Sequence, residues 1–92
     1  MEIQIQPNRV FVEDASGNLL AEVCFPASSE NQVNFSHTFI SPSLQGNNFL
    51  GTLMRVAVAH IQSRNLTASV TCPVARAWFD NNAAFARSLS ID

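Results

Sequence analysis

The sequence predicts an α+β fold, a mixed α/β arrangement whose elements follow the order β-β-β-α-β-α. Three features support this class: period-two apolar patterns in the first forty residues, one long amphipathic helix after them, and a short β-branched strand followed by a second helix. A strand, a crossover helix and another strand in succession imply that the third and fourth strands are parallel. The remaining sheet is predicted to be an antiparallel meander.

The first half of the chain alternates as a meander does. A first strand lies around Phe11, which has a valine on each side, and turn residues at positions 14–18 separate it from a second strand at 19–25. The polar segment 26–31 is expected to be a loop. The third strand is expected to end near Ser41-Pro42, and its aromatic and β-branched positions recur with period two: Val33, Phe35, His37 and Phe39.

The second half begins with the most regular helical pattern in the chain. A short strand is expected at Thr67 to Thr71 because this run is β-branched and lies between turn residues. Pro73 suits the first position of a last helix, which Asn81 and Asn82 are expected to end. The central helix is predicted from apolar residues with helical spacing: Leu50, Leu53, Met54, Ala57, Val58 and Ile61.

Length and composition limit the functions that the chain can have. Its 92 residues support one domain, expected to span 1–92, and 47% hydrophobic against 13% charged residues indicate a packed core. The five cations are all arginines and the net charge is -2, which argues against nucleic-acid binding. No apolar stretch reaches the ~20 residues of a membrane span and the first residues lack a signal-peptide pattern, so we expect a cytoplasmic protein.

The cysteines and histidines are few and widely spaced. Without secretory features, Cys24 and Cys72 are expected to be free thiols rather than a disulfide. His37 and His60 stand among scattered carboxylates with no metal-ligand spacing, so no metal site is predicted.

The turn before the central helix is the strongest functional signal. Gln45-Gly46-Asn47-Asn48 connects the third strand to the helix through polar, glycine-containing backbone. A helix that starts there directs unpaired N–H groups and the positive end of its dipole at one point, which suits a phosphate group. The turn alone is a weak motif, and its weight comes from the order of elements around it.

The run from His37 to Gly46, followed by Leu53 and later by Cys72-Pro73, resembles the smallest single-domain branch of the GNAT acyl-CoA N-acetyltransferase superfamily. The similarity covers roughly residues 9 to 85. It implies a GNAT-like fold, acetyl-CoA as cofactor and an amine as acceptor. In that superfamily a turn of the form Arg/Gln-x-x-Gly-x-Gly/Ala holds the pyrophosphate of coenzyme A, and the preceding strand pairs with its pantetheine arm.

The chain matches this turn motif only in part. Gln45 matches the first position and Gly46 fits an Arg-Gly form of the small branch, but Asn48 replaces the first glycine and Leu50 the second small residue. Asparagine tolerates left-handed backbone best among non-glycine residues, whereas leucine adds bulk near the phosphate. The resemblance implies these cofactor-binding residues: Phe39, Ile40, Gln45, Gly46, Asn47, Asn48, Phe49, Leu50 and Gly51.

Two side chains are candidates for catalysis. Cys72 is expected close to a helix N-terminus, where the pKa of a thiol falls, and it could protonate the leaving thiolate or carry the acyl group. The alternative is a small buried hydrophobic residue. The imidazole of His37 could accept a proton from an amine. However, its position in the pattern of Phe35 and Phe39 favours a hydrogen-bonded histidine in the core.

The resemblance thus implies an acetyl-CoA-dependent N-acetyltransferase acting on a small-molecule or peptide amine, as a monomer or homodimer. An alternative is a catalytically degenerate CoA-binding or regulatory module of the same fold. The departures at Asn48 and Leu50 motivate it, as does the absence of an acid at Phe39 and of any tyrosine. A third reading is a structural dimer subunit that binds no cofactor, if Leu50 closes the phosphate notch.

Overall fold

The structure is a computed structural model that describes residues 2–46 and 48–91. It contains two small sheets, three α-helices and one 3-10 turn at Pro42–Leu44. In chain order the strands and helices are β1 (Gln4–Gln6), β2 (Arg9–Glu13), β3 (Leu19–Cys24), β4 (Ala27–Ser29), β5 (Gln32–Phe35), β6 (His37–Ile40), α1 (Phe49–Ser63), β7 (Thr67–Val70), α2 (Pro73–Asp80) and α3 (Ala83–Ser88).

The first sheet is antiparallel and has the strand order β1-β2-β3-β6. Helix α1 packs against β2 and β3, so we call the face toward α1 the inner face and the opposite one the outer face. Every second residue of β2 and β3 lies in the core with α1, which is the alternation that the sequence predicts. The inner residues of these two strands are fully buried: Val10, Val12, Ala21 and Val23.

The second sheet has the order β4-β5-β7 and contains the predicted parallel pair. Strands β5 and β7 run in the same direction, with Val33 opposite Ala68 and Phe35 opposite Val70. Helix α1 makes the crossover between the two halves of the chain, as a strand-helix-strand connection requires. The expected parallel strand is therefore confirmed.

The third predicted strand is in fact two strands that belong to different sheets. The carbonyl of Phe35 accepts hydrogen bonds from the amides of Thr71 and Cys72, both at 3.0 Å, and this ends the pairing of β5 with β7. The next amide, that of Ser36, donates to the carbonyl of Cys24 at 3.2 Å on the first sheet. A single uninterrupted strand over 33–39 is therefore wrong, because the chain changes sheet at Ser36.

This change of sheet also reverses the faces of the residues that follow. Phe35 is fully buried, but the side chain of His37 is 55% exposed on the outer face, so the expectation of a core histidine is wrong. Alternation of side chains between the two faces of a sheet holds only along a continuous strand. The extra residue at Ser36 shifts this alternation by one position, so the residues after it lie on the opposite faces from those expected.

Smaller differences occur at other points. The segment 26–31, expected to be a loop, contains β4, which pairs with β5, and β1 pairs with β2 where no strand was predicted. Asn81 and Asn82 end α2 as expected, and the chain then forms α3. The turn at 14–18 is present, with Gly17 at a φ of 84°.

The core lies between the first sheet and the helices and extends across the junction of the two sheets. Three phenylalanine rings connect these parts: Phe25 lies 5.6 Å from Phe35 between ring centroids, and Phe35 lies 5.1 Å from Phe79 of α2. All three side chains are buried. Within the described residues, no helix is both long and apolar enough to cross a membrane.

We expect Phe35→Ala to be the more destabilising of two matched truncations. Loss of a fully buried phenyl ring at the sheet junction should cost about 3–5 kcal/mol of unfolding free energy. Phe39→Ala, a partly exposed phenylalanine four residues later, should cost about 1 kcal/mol or less. Urea denaturation of both variants measures the difference, and equal losses would contradict the assignment of Phe35 as the junction residue.

Candidate functional site

Among the described residues, no side chain caps the first backbone donors of α1. Gly46 has a φ of 90°, and Asn48, the residue before the helix, is left-handed with φ 54° and ψ 29°. The side chain of Asn48 makes no capping hydrogen bond, and the first turn of α1 has no acidic residue. The first amides of a helix have no partner within the helix, so here they are available to an anion.

Asn48 keeps the turn that a glycine makes in the motif, because asparagine tolerates left-handed backbone. Gly51 is the third residue of the helix and is buried, and a Cβ built on it would lie 3.0 Å from the Asn48 Oδ1 atom. A Cβ built on Gly46 would meet no atom within 4 Å. The backbone at this corner is therefore open on the side of Gly46 and tightly packed at Gly51.

A cavity of about 350 Å³ lies beside this corner. It is bounded by strand β6, by the 3-10 turn and by the first residues of α1 and α2. Leu50 lines it and also lines an apolar hollow beside Trp78 of α2. The residues around the cavity are Thr38, Ile40, Leu44, Gln45, Gly46, Asn48, Phe49, Leu50 and Val74.

Strand β6 presents an open backbone edge to this cavity. Within the described part of the chain it pairs only with β3, and it is the last strand of its sheet. Ser41 donates to the carbonyl of Leu20, and the alternation of an antiparallel ladder then directs the backbone groups of Thr38 and Ile40 to the open edge. The side-chain amide of Gln45 donates to the Ile40 carbonyl at 3.3 Å.

Cys72 lies where β6 and β7 diverge. It is buried, it is the residue before α2, and its sulfur is 3.5 Å from the hydroxyl oxygen of Thr38. Burial disfavours the thiolate, but the backbone N–H of Ala75, the Thr38 hydroxyl and the N–H of Val74 favour it more strongly, so the pKa of Cys72 is lowered.

His37 lies on the other face of the sheet. Its Nε2 atom is 3.2 Å from Oε1 of Glu22, whose Oε2 atom also accepts from Nε of Arg9 at 2.5 Å. Cys24 is the cross-strand neighbour of His37, and burial followed by the charge of Glu22 raises the pKa of its thiol. Both cysteines are free thiols, as the sequence predicts.

The structure brings most of the predicted cofactor residues to one cavity, but it does not bring the two predicted catalytic residues together. His37 and Phe39 lie on the outer face, whereas Cys72 lies on the inner side. Asn47 is outside the described residues. The residues of the predicted set that line the cavity are Ile40, Gln45, Gly46, Asn48, Phe49 and Leu50.

Three residues of the cavity are outside the predicted list of site residues, although the strand expected to pair with the pantetheine arm includes the first of them: Thr38, Leu44 and Val74. Thr38 could have been found only with knowledge of the phase shift at Ser36, which turns it inward in place of its neighbours. Val74 follows the Cys72-Pro73 pair directly, so the start of the last helix was a usable signal. No group of three His, Cys, Asp or Glu side chains in the described residues has the geometry of a metal site.

The two diverging strands with a helix N-terminus at the opening define an α+β fold of the acyltransferase kind. A family model described as GCN5-related N-acetyl-transferase matches residues 9–88 of this chain. The chain therefore belongs to the GCN5-related N-acetyltransferase (GNAT) family.

Solved structures agree with this assignment. A GCN5-like candidate N-acetyltransferase from Staphylococcus aureus, determined by NMR, superposes with a TM-score of 0.79 at 25% identity, over 96% of this chain and 85% of that one. Nourseothricin acetyltransferase superposes with a TM-score of 0.51 at 19% identity, over 63% of this chain and 35% of that one, and supports the fold only. No curated relative matches the chain in sequence.

We expect the two thiols to ionise in different pH ranges. The pKa of Cys72 is lowered and that of Cys24 is raised, so alkylation of Cys72 should reach its half-maximal rate at the lower pH. Iodoacetamide rates measured against pH in Cys24→Ser report Cys72, and those in Cys72→Ser report Cys24. Equal midpoints, or the reverse order, would contradict the helix-terminus environment described for Cys72.

Proposed function

We propose that this chain transfers an acetyl group from acetyl-CoA to the amine of a small molecule or peptide. The observation that carries the proposal is that the uncapped start of α1 and the open edge of β6 meet at one cavity, and that the Cys72 thiol contacts Thr38 in the wall of that cavity. Membership of an N-acetyltransferase family supports the same reaction class.

The residues present fit coenzyme A. The first amides of α1, with Gly46 and Asn48 before them, would hold the diphosphate, since this corner has no acidic side chain in the first helical turn. The backbone groups of Thr38 and Ile40 would pair with the amides of the pantetheine arm, in the manner of an added strand. For Ile40 this requires the Gln45 side chain to give up the carbonyl that it now contacts.

Acetyl-CoA, when bound, supplies an activated acetyl group and a thiolate leaving group. Cys72 is suited to protonate that thiolate, because the pKa of its thiol is lowered from the ordinary value and the thiol is thereby a stronger acid. The hydroxyl of Thr38 holds the Cys72 sulfur in place at 3.5 Å. We propose this proton-donor role rather than a covalent acyl-cysteine.

The phosphate-binding role of the α1 start predicts that Asn48→Asp weakens CoA binding without weakening the fold. The added charge lies beside the diphosphate and should raise the Kd of CoA at least about fivefold. The same charge interacts favourably with the helix dipole, by about 0.3–1 kcal/mol, so thermal stability without ligand should not fall. Calorimetric titration with CoA and thermal denaturation measure the two effects.

Asn65→Asp is the matched control for this variant. Asn65 is also a left-handed asparagine, with a φ of 58°, but it follows the opposite end of the same helix. Its replacement should leave the Kd of CoA unchanged. Equal weakening by both variants would indicate only a general charge effect, and absence of a thermal shift with wild-type protein at millimolar CoA would remove the cofactor site.

The proton-donor role predicts that Cys72→Ala slows thiol release from acetyl-CoA in the presence of amines. We expect kcat to fall by about 10²-fold with little change in the KM for acetyl-CoA, because general acid catalysis contributes on that order. Cys24→Ala is the control and should retain the wild-type rate. Unchanged release in Cys72→Ala would exclude the residue from the mechanism. CoA binding without release by wild-type protein would favour a non-catalytic CoA-binding module.

A further inference from the structure

The outer face of the first sheet has a second group of chemically active side chains. In the strand register, Arg9 lies opposite Cys24 and Cys24 opposite His37, while Phe11 lies opposite Glu22 and Glu22 opposite Phe39. Because residues of one face alternate along each strand, all six side chains share the outer face. We call this group the outer patch.

Glu22 is at the centre of the outer patch. Its side chain is only 14% exposed, and its carboxylate contacts two partners through different oxygens, Arg9 through Oε2 and His37 through Oε1. The guanidinium of Arg9 also lies over the ring of Phe11, 3.7 Å from its centroid, which fixes the cation from the other side. The carboxylate therefore has little freedom to turn away from the imidazole.

An ionised carboxylate can only accept hydrogen bonds, so the Nε2 atom of His37 must carry the proton that it shares with Glu22. In a neutral imidazole the lone pair is then on Nδ1. Within the described residues Nδ1 has no hydrogen-bond partner, and the side chain is half exposed. The network thus selects one tautomer and leaves one nitrogen available to a molecule on the outer face.

The position of His37 along β6 also lets a group bound there approach the cavity. It is the first residue of β6, directly after the point where β5 and β6 part, and the next residue, Thr38, contacts Cys72 on the inner side. Within the described residues no strand pairs with the other edge of β6. A group held at His37 can therefore approach the cavity past this open edge.

We propose that Glu22 is a positioning residue for His37, holding it as the Nε2–H tautomer so that Nδ1 accepts a proton from the acceptor ammonium on the outer face. This inference rests on the proposed acetyl transfer. The N–H bond of the ammonium breaks and an Nδ1–H bond forms. The neutral amine then attacks the acetyl carbon, the carbon–sulfur bond breaks, and the second amine proton replaces the one that Cys72 gives to the leaving thiolate. The imidazolium beside Glu22 later releases its proton to water.

The outer patch also indicates what the acceptor offers. Arg9 already neutralises Glu22, so the patch has no net charge to attract a polyanion or a polycation. Phe39 is 38% exposed and lies opposite Glu22, which provides an apolar surface next to the imidazole. An amine attached to an apolar group fits this pair of features, with the nitrogen at His37 and the carbon chain on Phe39.

Glu22→Gln tests the positioning role by a spectroscopic signature that does not require activity. Arg9 needs an acceptor and should retain the amide oxygen of Gln, which directs the amide NH₂ at His37. The imidazole should then accept at Nε2 and change to the Nδ1–H tautomer. Long-range ¹H–¹⁵N NMR at about pH 8.5, above the usual range of imidazole titration, distinguishes the two tautomers.

The matched control is Glu13→Gln, an exposed glutamate at the end of β2 in the same sheet, which should leave the His37 tautomer unchanged. His60→Gln identifies the signals of the other imidazole. If wild-type His37 is not the Nε2–H tautomer, or if Glu22→Gln does not change it, the positioning role is overturned. Thermal denaturation of each variant verifies that the comparison is made on folded protein. If Glu22→Gln does not fold, Glu22→Asp, which keeps the carboxylate, is used in its place.

Thiol release with phenethylamine and with a mixed pool of primary amines tests the catalytic consequence. Glu22→Gln should lower kcat at least about tenfold while the KM for acetyl-CoA remains within twofold, since Glu22 does not line the cavity proposed to hold the cofactor. Glu13→Gln should match wild type. Equal rates in both variants would overturn the proposal while leaving acetyl transfer intact. If wild-type protein releases no thiol with any amine, the proton transfer fails together with the proposed function, and only the tautomer result stands.

Discussion

The structure depends on a single change of hydrogen-bond partner between two adjacent residues. Phe35 accepts from Thr71 and Cys72 in one sheet, and Ser36 donates to Cys24 in the other. Buried backbone groups must be paired, so the chain can leave one ladder only where another accepts it at once. This constraint separates β6 from β7, and the described residues contain no buried side-chain donor or acceptor that lacks a partner.

The same constraint decides which residues can act together. The extra residue at Ser36 turns Thr38 toward Cys72 and turns His37 toward Glu22, so neighbours in sequence serve opposite faces of the sheet. The aromatic contacts of Phe35 hold the junction firm, because a shift of register would expose a buried ring. The rigid junction at Phe35 and the open edge of β6 thus both result from the extra residue at Ser36.

Much of the fold could be predicted from the sequence because its signals are local or periodic. The amphipathic pattern of α1 and the turn around Gly17 are of this kind, and the parallel pairing of β5 with β7 follows from the order of elements. The break at Ser36 has no such signal, because serine is compatible with a continuous strand and the neighbouring residues keep an alternating pattern. The inward position of Thr38 and the outward position of His37 could therefore not be predicted. The Arg9–Glu22 contact was equally inaccessible, since it depends on register between strands.

The departures from the phosphate-binding motif have different physical meanings. Asn48 reproduces the backbone of a glycine, since its φ of 54° is the left-handed conformation that asparagine tolerates best. Leu50 instead changes the shape of the site, because its side chain, like that of Val74, lines both the cavity at β6 and the hollow beside Trp78. The substitution therefore adds bulk to the walls of both spaces, while the first amides of α1, which belong to the backbone, remain.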